Sequence, residues 1–325
     1  MKKGKLIALI VAGVLLITGS FFMVMGLSLA KGSATESKLM QQEVLVQESF
    51  ENIQIDTEDC DVNFVPYNGT VDARVVILEQ ERAKHSVLVE DGTLKIKMTD
   101  GRNWTDYVGI FGITEQMVMT VYLPSAEYES LQIRTTTGDI ALAQEPFFRD
   151  AVLRTNTGDI SCVGVSGDAL DCMTSTGDIS VQNSAPNMLK LQSNTGDFKI
   201  STVASDEIHM TTNTGEVDAQ NVNALTFTSD TDTGDVELEK VLAEDYLQIF
   251  TDNGDVEIEN SDAGTVNIET NTGDVSGNFL TSKWFQARSD TGNVTVPNTR
   301  EGGECRIETD TGDISFFYDG SREIG

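Results

Sequence analysis

The chain has 325 residues and a formal net charge of −30. Such an acidic chain argues against a nucleic-acid partner and against direct attraction to anionic lipid or anionic envelope polymer. It has only two histidines, no HExxH motif and no glycine-rich phosphate loop after a strand, which disfavours the common hydrolase and nucleotide-binding chemistries.

The N-terminal segment predicts a membrane anchor. Residues 1–5 carry three lysines, whereas residues 6–30 carry no charge. An apolar stretch of that length spans a bilayer, and the lysines favour a cytoplasmic tail at residues 1–5. We therefore predict a single-pass protein of the cell membrane whose chain beyond Lys31 is extracellular. A signal peptide cleaved after Ala30 is the alternative, although its apolar stretch is usually shorter.

The segment after the anchor divides into a tether and a strand-rich region. Residues 31–42 are mostly polar or charged, which is typical of a tether. Residues 43–130 alternate apolar and polar side chains, which predicts strands. We predict that residues 43–130 form irregular β coils that cap the membrane-proximal end of the domain. Cys60 stands where a degenerate repeat would have its glycine.

An interruption between residues 100 and 116 carries aromatic side chains among glycines. These side chains are Trp104, Tyr107 and Phe111. Exposed aromatic residues on a glycine-containing loop are typical of binding sites, so this segment is a candidate binding loop. A lid over the end of the domain is the alternative interpretation.

From residue 131 to residue 325 the tripeptide Thr-Gly-Asp, or a close variant, recurs at a nearly constant spacing. Self-similarity at a fixed period, here about 19 residues, is the signature of a repeat architecture. Apolar residues mostly stand two and four positions after each glycine, and five and seven before it, which predicts a strand on each side. The ten repeat glycines are Gly138, Gly158, Gly177, Gly196, Gly215, Gly234, Gly254, Gly273, Gly292 and Gly312.

A unit this short, with two brief strands, cannot bury its own apolar face, whereas stacked copies can cover one another. We therefore predict an all-β chain in which residues 131–325 form a ten-repeat, single-stranded parallel β-helix, or β-solenoid, roughly 50 Å long. The general handedness of parallel crossovers favours a right-handed coil. Extra apolar positions such as Val165, Val222 and Leu280 predict a short third side. The aromatic residues 316–318 are expected to cap the C-terminal end.

The residues around the repeat glycine have structural explanations. The glycine is expected at a sharp turn with positive φ, which only glycine adopts at low cost. Threonine or serine three residues earlier, as at Thr155, Ser193 and Thr251, faces inward by parity. We expect these hydroxyl groups to hydrogen-bond along the stack.

The aspartate after the glycine is the repeated group that could carry chemistry. Carboxylates about 5 Å apart at one corner repel one another, so something must offset the repulsion. One interpretation is a row of weak Ca²⁺ sites, and the other is that each aspartate accepts N–H bonds from its own turn. No other cofactor is predicted. The candidate residues are Asp139, Asp159, Asp178, Asp197, Asp235, Asp255, Asp274 and Asp313.

The cysteines do not define a disulfide framework or a metal site. Cys162, Cys172 and Cys305 fall on inward apolar positions, where a thiol packs as a small hydrophobic group. A Cys162–Cys172 bridge across the interior is the alternative. The chain has no CxxC or Cys/His metal spacing. His209 stands on an outward strand position, which favours a solvated side chain over a catalytic one.

The layout resembles a known family. One N-terminal span, a strand-rich lead-in ending in Val121-Tyr-Leu-Pro124, and then repeated Gly-Asp-Ile/Val look like the β-strand-repeat "putative adhesin" family of Gram-positive bacteria. That family includes the LiaG-like cell-envelope proteins. The resemblance implies an exported, membrane-anchored envelope protein linked with envelope-stress modules. It transfers no functional residues.

The sequence therefore favours a non-catalytic binding or scaffolding module of the cell envelope. The predicted partners are the membrane, through the N-terminal helix, and an envelope polymer or membrane protein. A polysaccharide lyase or hydrolase built on a β-helix is one alternative, but basic residues are sparse along the repeats and the connections are short. A sensor that modulates a membrane partner is the other.

Overall fold

The computed structural model describes residues 39–67, 72–102, 116–143 and 147–318. Throughout these residues the chain forms strands, turns and bends. They include no helix, and hence none long and apolar enough to cross a bilayer. The predicted anchor, residues 6–30, lies outside the described residues.

The described residues form 22 strands joined in one continuous sheet. In chain order the strands are β1 (Met40–Val46), β2 (Asn52–Asp56), β3 (Cys60–Tyr67), β4 (Ala73–Glu79), β5 (Ala83–Glu90), β6 (Thr93–Asp100), β7 (Met117–Pro124), β8 (Glu127–Arg134), β9 (Ile140–Leu142), β10 (Phe147–Arg154), β11 (Ile160–Val163), β12 (Ser166–Met173), β13 (Ile179–Thr195), β14 (Phe198–Thr214), β15 (Val217–Thr233), β16 (Val236–Asn253), β17 (Val256–Thr272), β18 (Val275–Phe279), β19 (Lys283–Thr291), β20 (Val294–Thr295), β21 (Gly303–Thr311) and β22 (Ile314–Tyr318).

Each coil has a first side before its repeat glycine and a second side after it. Corresponding residues of successive coils pair in parallel and in register, so that Leu189 lies opposite Ile208 and Ile208 lies opposite Phe227. The strands β13 to β17 are long because each continues from the second side of one coil, around the corner, to the first side of the next. The prediction of a parallel β-solenoid is confirmed.

The core consists of inward side chains that stack in columns along the coils. Residues such as Leu191, Ile200 and Ile249 are fully buried. Removing one aliphatic side chain of this kind from water contributes about 1.5–3 kcal/mol, so each coil is stabilised mainly by its neighbours.

The cysteines of the repeats lie in the same core, as predicted. Cys162, Cys172 and Cys305 are buried free thiols. A hydrogen bond with Cys162, together with burial, raises the pKa of Cys172. Burial raises the pKa of Cys305 to about 12, so Cys172 and Cys305 stay protonated near neutral pH.

A short third side follows the second side, as predicted, and begins at a corner that the sequence did not reveal. Val203 and Val222 pair there and are buried, whereas Leu280 is 48% exposed because the neighbouring Phe279 occupies the core. The residues before Val203 and Val222 have a left-handed backbone conformation, with φ of 55° at Thr202 and 53° at Asn221. Asparagine tolerates this conformation better than threonine does.

The N-terminal region adds one coil and an antiparallel extension. β2 and β3 pair in parallel with β8 and β9, and Cys60 occupies the glycine position of this coil, as predicted. On the second side β7 pairs in parallel with β3. β4 pairs antiparallel with β7, and β1 pairs antiparallel with β4. On the first side β6 pairs in parallel with β2, and β5 pairs antiparallel with β6. These antiparallel strands change the sheet pattern at the N-terminal end of the stack.

Chain order and spatial order differ at the C-terminal end. The last coil in the sequence, β21–β22, lies between the coil that holds β18 and the coil β19–β20. The ring of Phe316 on β22 stacks on Phe279 with 5.1 Å between centroids. Residues 316–318 pair with residues 277–279 of the inner coil, and within the described residues only Ile314 and Ser315 of β22 pair with the outer strand β20. The capping role of residues 316–318 stays a prediction. The terminal coil is β19–β20.

Candidate functional site

The repeat corner is built on a column of closely packed glycines. A Cβ added to Gly196 would lie 1.9 Å from the carbonyl oxygen of Gly177, and one added to Gly215 would lie 2.0 Å from that of Gly196. Six of the ten repeat glycines have a positive φ, and Gly215 is among those that do not. The expected positive-φ turn is therefore not the general reason for these glycines. The shared reason is the close approach of successive backbones.

Buried hydroxyl groups line the inner side of this corner. The hydroxyl groups of Thr155 and Thr174 donate to the carbonyl oxygens of Gly138 and Gly158, at 3.1 and 3.0 Å. The inward orientation was predicted correctly. The acceptor is the glycine carbonyl of the preceding coil, so each hydroxyl ties two coils together.

The aspartates line the outer side of the corner as a ladder. Asp159 Oδ1 accepts the backbone N–H of Asp178 at 2.8 Å, and Asp178 Oδ1 accepts that of Asp197 at 2.9 Å. The expectation that each aspartate accepts from its own turn is therefore wrong, because the donor belongs to the next coil. The same bond is made by Asp139, Asp197, Asp235, Asp255, Asp274 and Asp313.

These bonds offset the repulsion within the carboxylate row. A charge-assisted bond from a backbone N–H to a carboxylate is stronger than a neutral hydrogen bond. No group of three or more His, Cys, Asp or Glu side chains that could hold a metal ion occurs in the part of the chain that the structure describes. The Ca²⁺ interpretation stays a prediction.

We expect Asp178→Ala to destabilise the fold by about 1 kcal/mol, because it removes the acceptor of the Asp197 N–H. Asp178→Asn should cost less, since an amide oxygen can accept the same bond. Urea melts of both variants, with and without millimolar Ca²⁺, provide the measurement. A rise in wild-type stability with Ca²⁺ that Asp178→Asn abolishes would instead support metal binding by the ladder.

The ladder changes at Glu216, which occupies the aspartate position of its coil. Its own N–H bonds Asp197 Oδ1 at 2.8 Å, but among the described residues its longer side chain makes no matching bond to Asp235 N. Burial, with the nearby carboxylates of Glu237 and Asp197, raises the pKa of Glu216. Its negative charge therefore opposes folding above that pKa.

Glu216→Asp is expected to stabilise the fold by about 0.5–1 kcal/mol, because the shorter side chain completes the ladder to the N–H of Asp235. Glu237→Asp, on an outward strand position one coil further along, is the matched control and should change stability by less than about 0.5 kcal/mol. Thermal melts at neutral pH would compare the two. Equal shifts would contradict the assigned geometry of the ladder.

A buried hydroxyl–imidazole–carboxylate cluster lies in the N-terminal region. Thr57 Oγ1 lies 2.9 Å from His85 Nε2, and Glu79 Oε2 lies 3.1 Å from His85 Nδ1. The backbone N–H of His85 also donates to Glu79 Oε2, at 2.7 Å. His85 and Glu79 are 4% and 2% exposed. The residue types match those of a hydrolytic triad, and all three side chains are buried.

The sequence analysis missed this cluster, although a signal for it was present. Glu79 continues the inward alternation of Val75 and Ile77 on β4, and His85 follows Ala83 on the inward side of β5. Two polar residues on buried positions of successive strands predict a mutual contact, because buried polar groups need partners.

Burial lowers the pKa of His85 below its ordinary value of 6.5, against the opposing influence of Glu79. The unfolded chain therefore binds more protons than the folded chain between the two pKa values. Stability should fall as the pH is lowered through this window. Urea midpoints at several pH values between 7.5 and 5 would measure the slope. His85→Gln should make it shallower, and an unchanged slope would contradict the assignment.

The other predicted site residues are placed in part. His209 is half-exposed, as predicted, and contacts the Thr228 hydroxyl at 2.6 Å. Trp104, Tyr107 and Phe111 lie outside the described residues. Arg102, the last described residue before them, belongs to a salt-bridge cluster. Its guanidinium nitrogens lie 2.5 and 2.8 Å from the carboxylate oxygens of Asp59.

An open groove of about 430 Å³ lies on the third side near the C-terminal end. Leu242 is 40% exposed there, beside the carboxylate of Asp262. The buried ammonium group of Lys283 contacts Asp262, the Ala263 carbonyl and the Thr281 hydroxyl. The groove is lined by Asn223, Ala224, Leu242, Ala243, Glu244, Asp262, Ala263, Gly264 and Thr281.

Comparison with protein families identifies the class to which this solenoid belongs. The model of the Toastrack DUF4097 family matches residues 50–223 and 204–325. The chain therefore belongs to the Toastrack DUF4097 family. The β-repeat family assignment made from the sequence is confirmed at this level. A comparison with curated proteins found no match.

A comparison with solved structures found matches of low sequence identity. A "putative adhesin" from Bacteroides fragilis is 15% identical, with 86% of this chain and 97% of that chain covered and a TM-score of 0.40. A "putative adhesin" from Parabacteroides distasonis is 11% identical, with 87% and 98% covered and a TM-score of 0.44. A "putative lipid binding protein" from Parabacteroides distasonis is 14% identical, with 86% and 97% covered and a TM-score of 0.45. No functional argument rests on these similarities.

Proposed function

We propose that this chain is a non-catalytic, adhesin-like binding or scaffolding module of the bacterial cell envelope. The repeat corner carries the proposal. Three sets of interactions tie the coils together there, namely the glycine contacts, the buried hydroxyl bonds and the aspartate ladder. In these interactions the repeated polar groups bind successive coils to one another. The result is a stiff rod with acidic outer faces.

The enclosure of the Thr57–His85–Glu79 cluster supports the non-catalytic part of the proposal. A nucleophilic hydroxyl must reach its substrate, and Thr57 is 8% exposed. Burial opposes the charged form of His85 that a general base acquires during proton transfer. The cluster therefore serves to satisfy buried polar groups where the antiparallel strands meet the solenoid.

In this proposal residues 6–30 anchor the rod in the cell membrane with residues 1–5 in the cytoplasm. The uncharged length and the three lysines support this arrangement. The LiaG-like resemblance adds a proposed link to envelope-stress modules in Gram-positive bacteria. An envelope polymer or a membrane protein is the proposed partner.

Fractionation of cells that express the full chain tests the proposal. We expect full-length protein in the membrane fraction, digestion of the region beyond Lys31 by external protease, and retention of the intact protein on envelope material. Secretion of a product beginning at Lys31 would overturn the anchor. Turnover of envelope polysaccharide by the purified chain would overturn the non-catalytic function.

A further inference from the structure

The terminal coil β19–β20 presents an unpaired sheet edge. Within the described residues, β19 pairs only with β21, and β20 pairs only with β22. The carbonyl oxygens of Thr291 and Asn293 accept from the neighbouring coil. In other coils the residue four before the glycine faces the neighbouring coil on the N-terminal side of the stack, as where the Gln192 carbonyl accepts from Thr174. Arg288 holds this position in β19, so its backbone groups face β21. By alternation, the backbone groups of Phe285, Ala287 and Ser289 face the open edge. Such an edge is a template for another strand.

The inner side of this coil is also incompletely covered. Phe285 and Ala287 are only partly buried, whereas Cys305 and Ile307, at the same positions one coil inward, are 0% exposed. Outward from the core, Trp284 is 45% exposed. The terminal coil therefore offers both backbone hydrogen-bonding groups and apolar surface to a partner.

The local charge differs from that of the rest of the chain. Residues 281–300 carry three basic side chains and one acidic side chain, in a protein whose net charge is −30. Lys283 pairs with Asp262 and Arg288 pairs with Asp290, so this end is close to neutral. Two acidic rods repel each other along their sides, but this repulsion is weakest where the two nearly neutral ends meet. The charge distribution therefore favours contact between the ends of two copies.

The strand sequence is complementary to itself in an antiparallel arrangement with Gln286 opposite Gln286. Trp284 then lies opposite Arg288 of the second copy, which places a guanidinium group beside an indole ring. Phe285 lies opposite Ala287 on the inner side, so each buries part of the other. The residues whose backbone groups face the edge fall at the hydrogen-bonded positions of this pairing.

We propose that the β19 edge is a homophilic docking site that pairs antiparallel with the β19 edge of a second copy across a two-fold axis at Gln286. This names a partner for the proposed binding function and, as a cell-surface contact, rests on that function. The strands β1 and β5 lie at the opposite end of each rod. The joined molecules therefore direct their N-terminal ends apart, which suits a contact between two opposed membranes.

Disulfide crosslinking of the full chain in detergent tests the pairing and its register. Gln286 would lie opposite its own copy at a non-hydrogen-bonded position, where the two Cα atoms are about 4.5 Å apart, within disulfide range. Gln286→Cys should crosslink to itself under mild oxidation. Arg288→Cys is the matched control, because its two copies would be about 13 Å apart. Equal crosslinking of both variants, or of neither, would overturn the proposed register.

Ala287→Pro tests whether the edge drives association. The N–H of Ala287 faces the open edge, so proline should leave the monomer folded while removing two hydrogen bonds from the pair. We expect light scattering to show a dimer for the wild type and at least tenfold weaker association for the variant, with similar thermal melts. A monomeric wild type, or a variant that dimerises equally, would overturn the proposal. Retention on envelope material tests the proposed function separately.

Discussion

Gly215→Ala is expected to destabilise the protein by about 3 kcal/mol or more, because the new Cβ would lie 2.0 Å from the carbonyl oxygen of Gly196. That oxygen belongs to a backbone held by its own coil. Relief therefore requires two coils to separate, which weakens their hydrogen bonds. Because Gly215 lacks a positive φ, this cost comes from packing alone. Urea denaturation of the purified chain would measure it.

Gly92→Ala is the matched control for this prediction. Gly92 has a φ of 71°, and a Cβ added there would meet no atom within 4 Å. Its substitution should cost only the backbone strain, about 1 kcal/mol. If the two variants lose equal stability, then backbone conformation and not close approach explains the repeat glycines.

Glu79→Ala is expected to destabilise the protein by about 2–4 kcal/mol, since it leaves two buried donors without an acceptor, at about 1–3 kcal/mol each. The substitution leaves the backbone N–H and the Nδ1 atom of His85 without their acceptor, and it opens a cavity beneath β4. Glu79→Gln should lose less, because its amide oxygen can still accept. Thermal melts at neutral pH, where His85 is neutral, would compare the variants.

Glu43→Ala provides the control on the same sheet. The carboxylate of Glu43 is half-exposed and lies 3.5 Å from Arg74. Pairs of this kind contribute about 0–1 kcal/mol. A loss at Glu79 as small as that at Glu43 would show that water replaces the lost acceptor and that the cluster is not enclosed.

The sequence by itself determined the repeat architecture. A fixed period and two-residue alternation allow only one way to bury the apolar faces, which is to stack coils in register. The inward positions of Thr155, Cys162 and Cys172 follow from parity alone. The match of Cys60 to the glycine position was also readable, since the surrounding residues keep the repeat spacing.

Tertiary structure decided which groups the repeated residues contact. The parity of Asp178 places it on the outer corner, but the sequence cannot tell whether its acceptor bond goes to its own turn or to the next coil. The reason for Gly215 is likewise a distance between the backbones of two successive coils. Neither partner is encoded locally, because both arise only when the coils stack.

Tertiary structure also decided the order of the last coils. The period predicts that Gly312 follows Gly292 in space, yet Gly312 lies on Gly273 and Gly292 lies on Gly312. Nearly identical repeats can pair with one another in more than one order, so local pattern does not fix the sequence of stacking. The order depends on side chains that meet only after folding, such as Phe279 and Phe316. This choice leaves β19 as the open end of the rod.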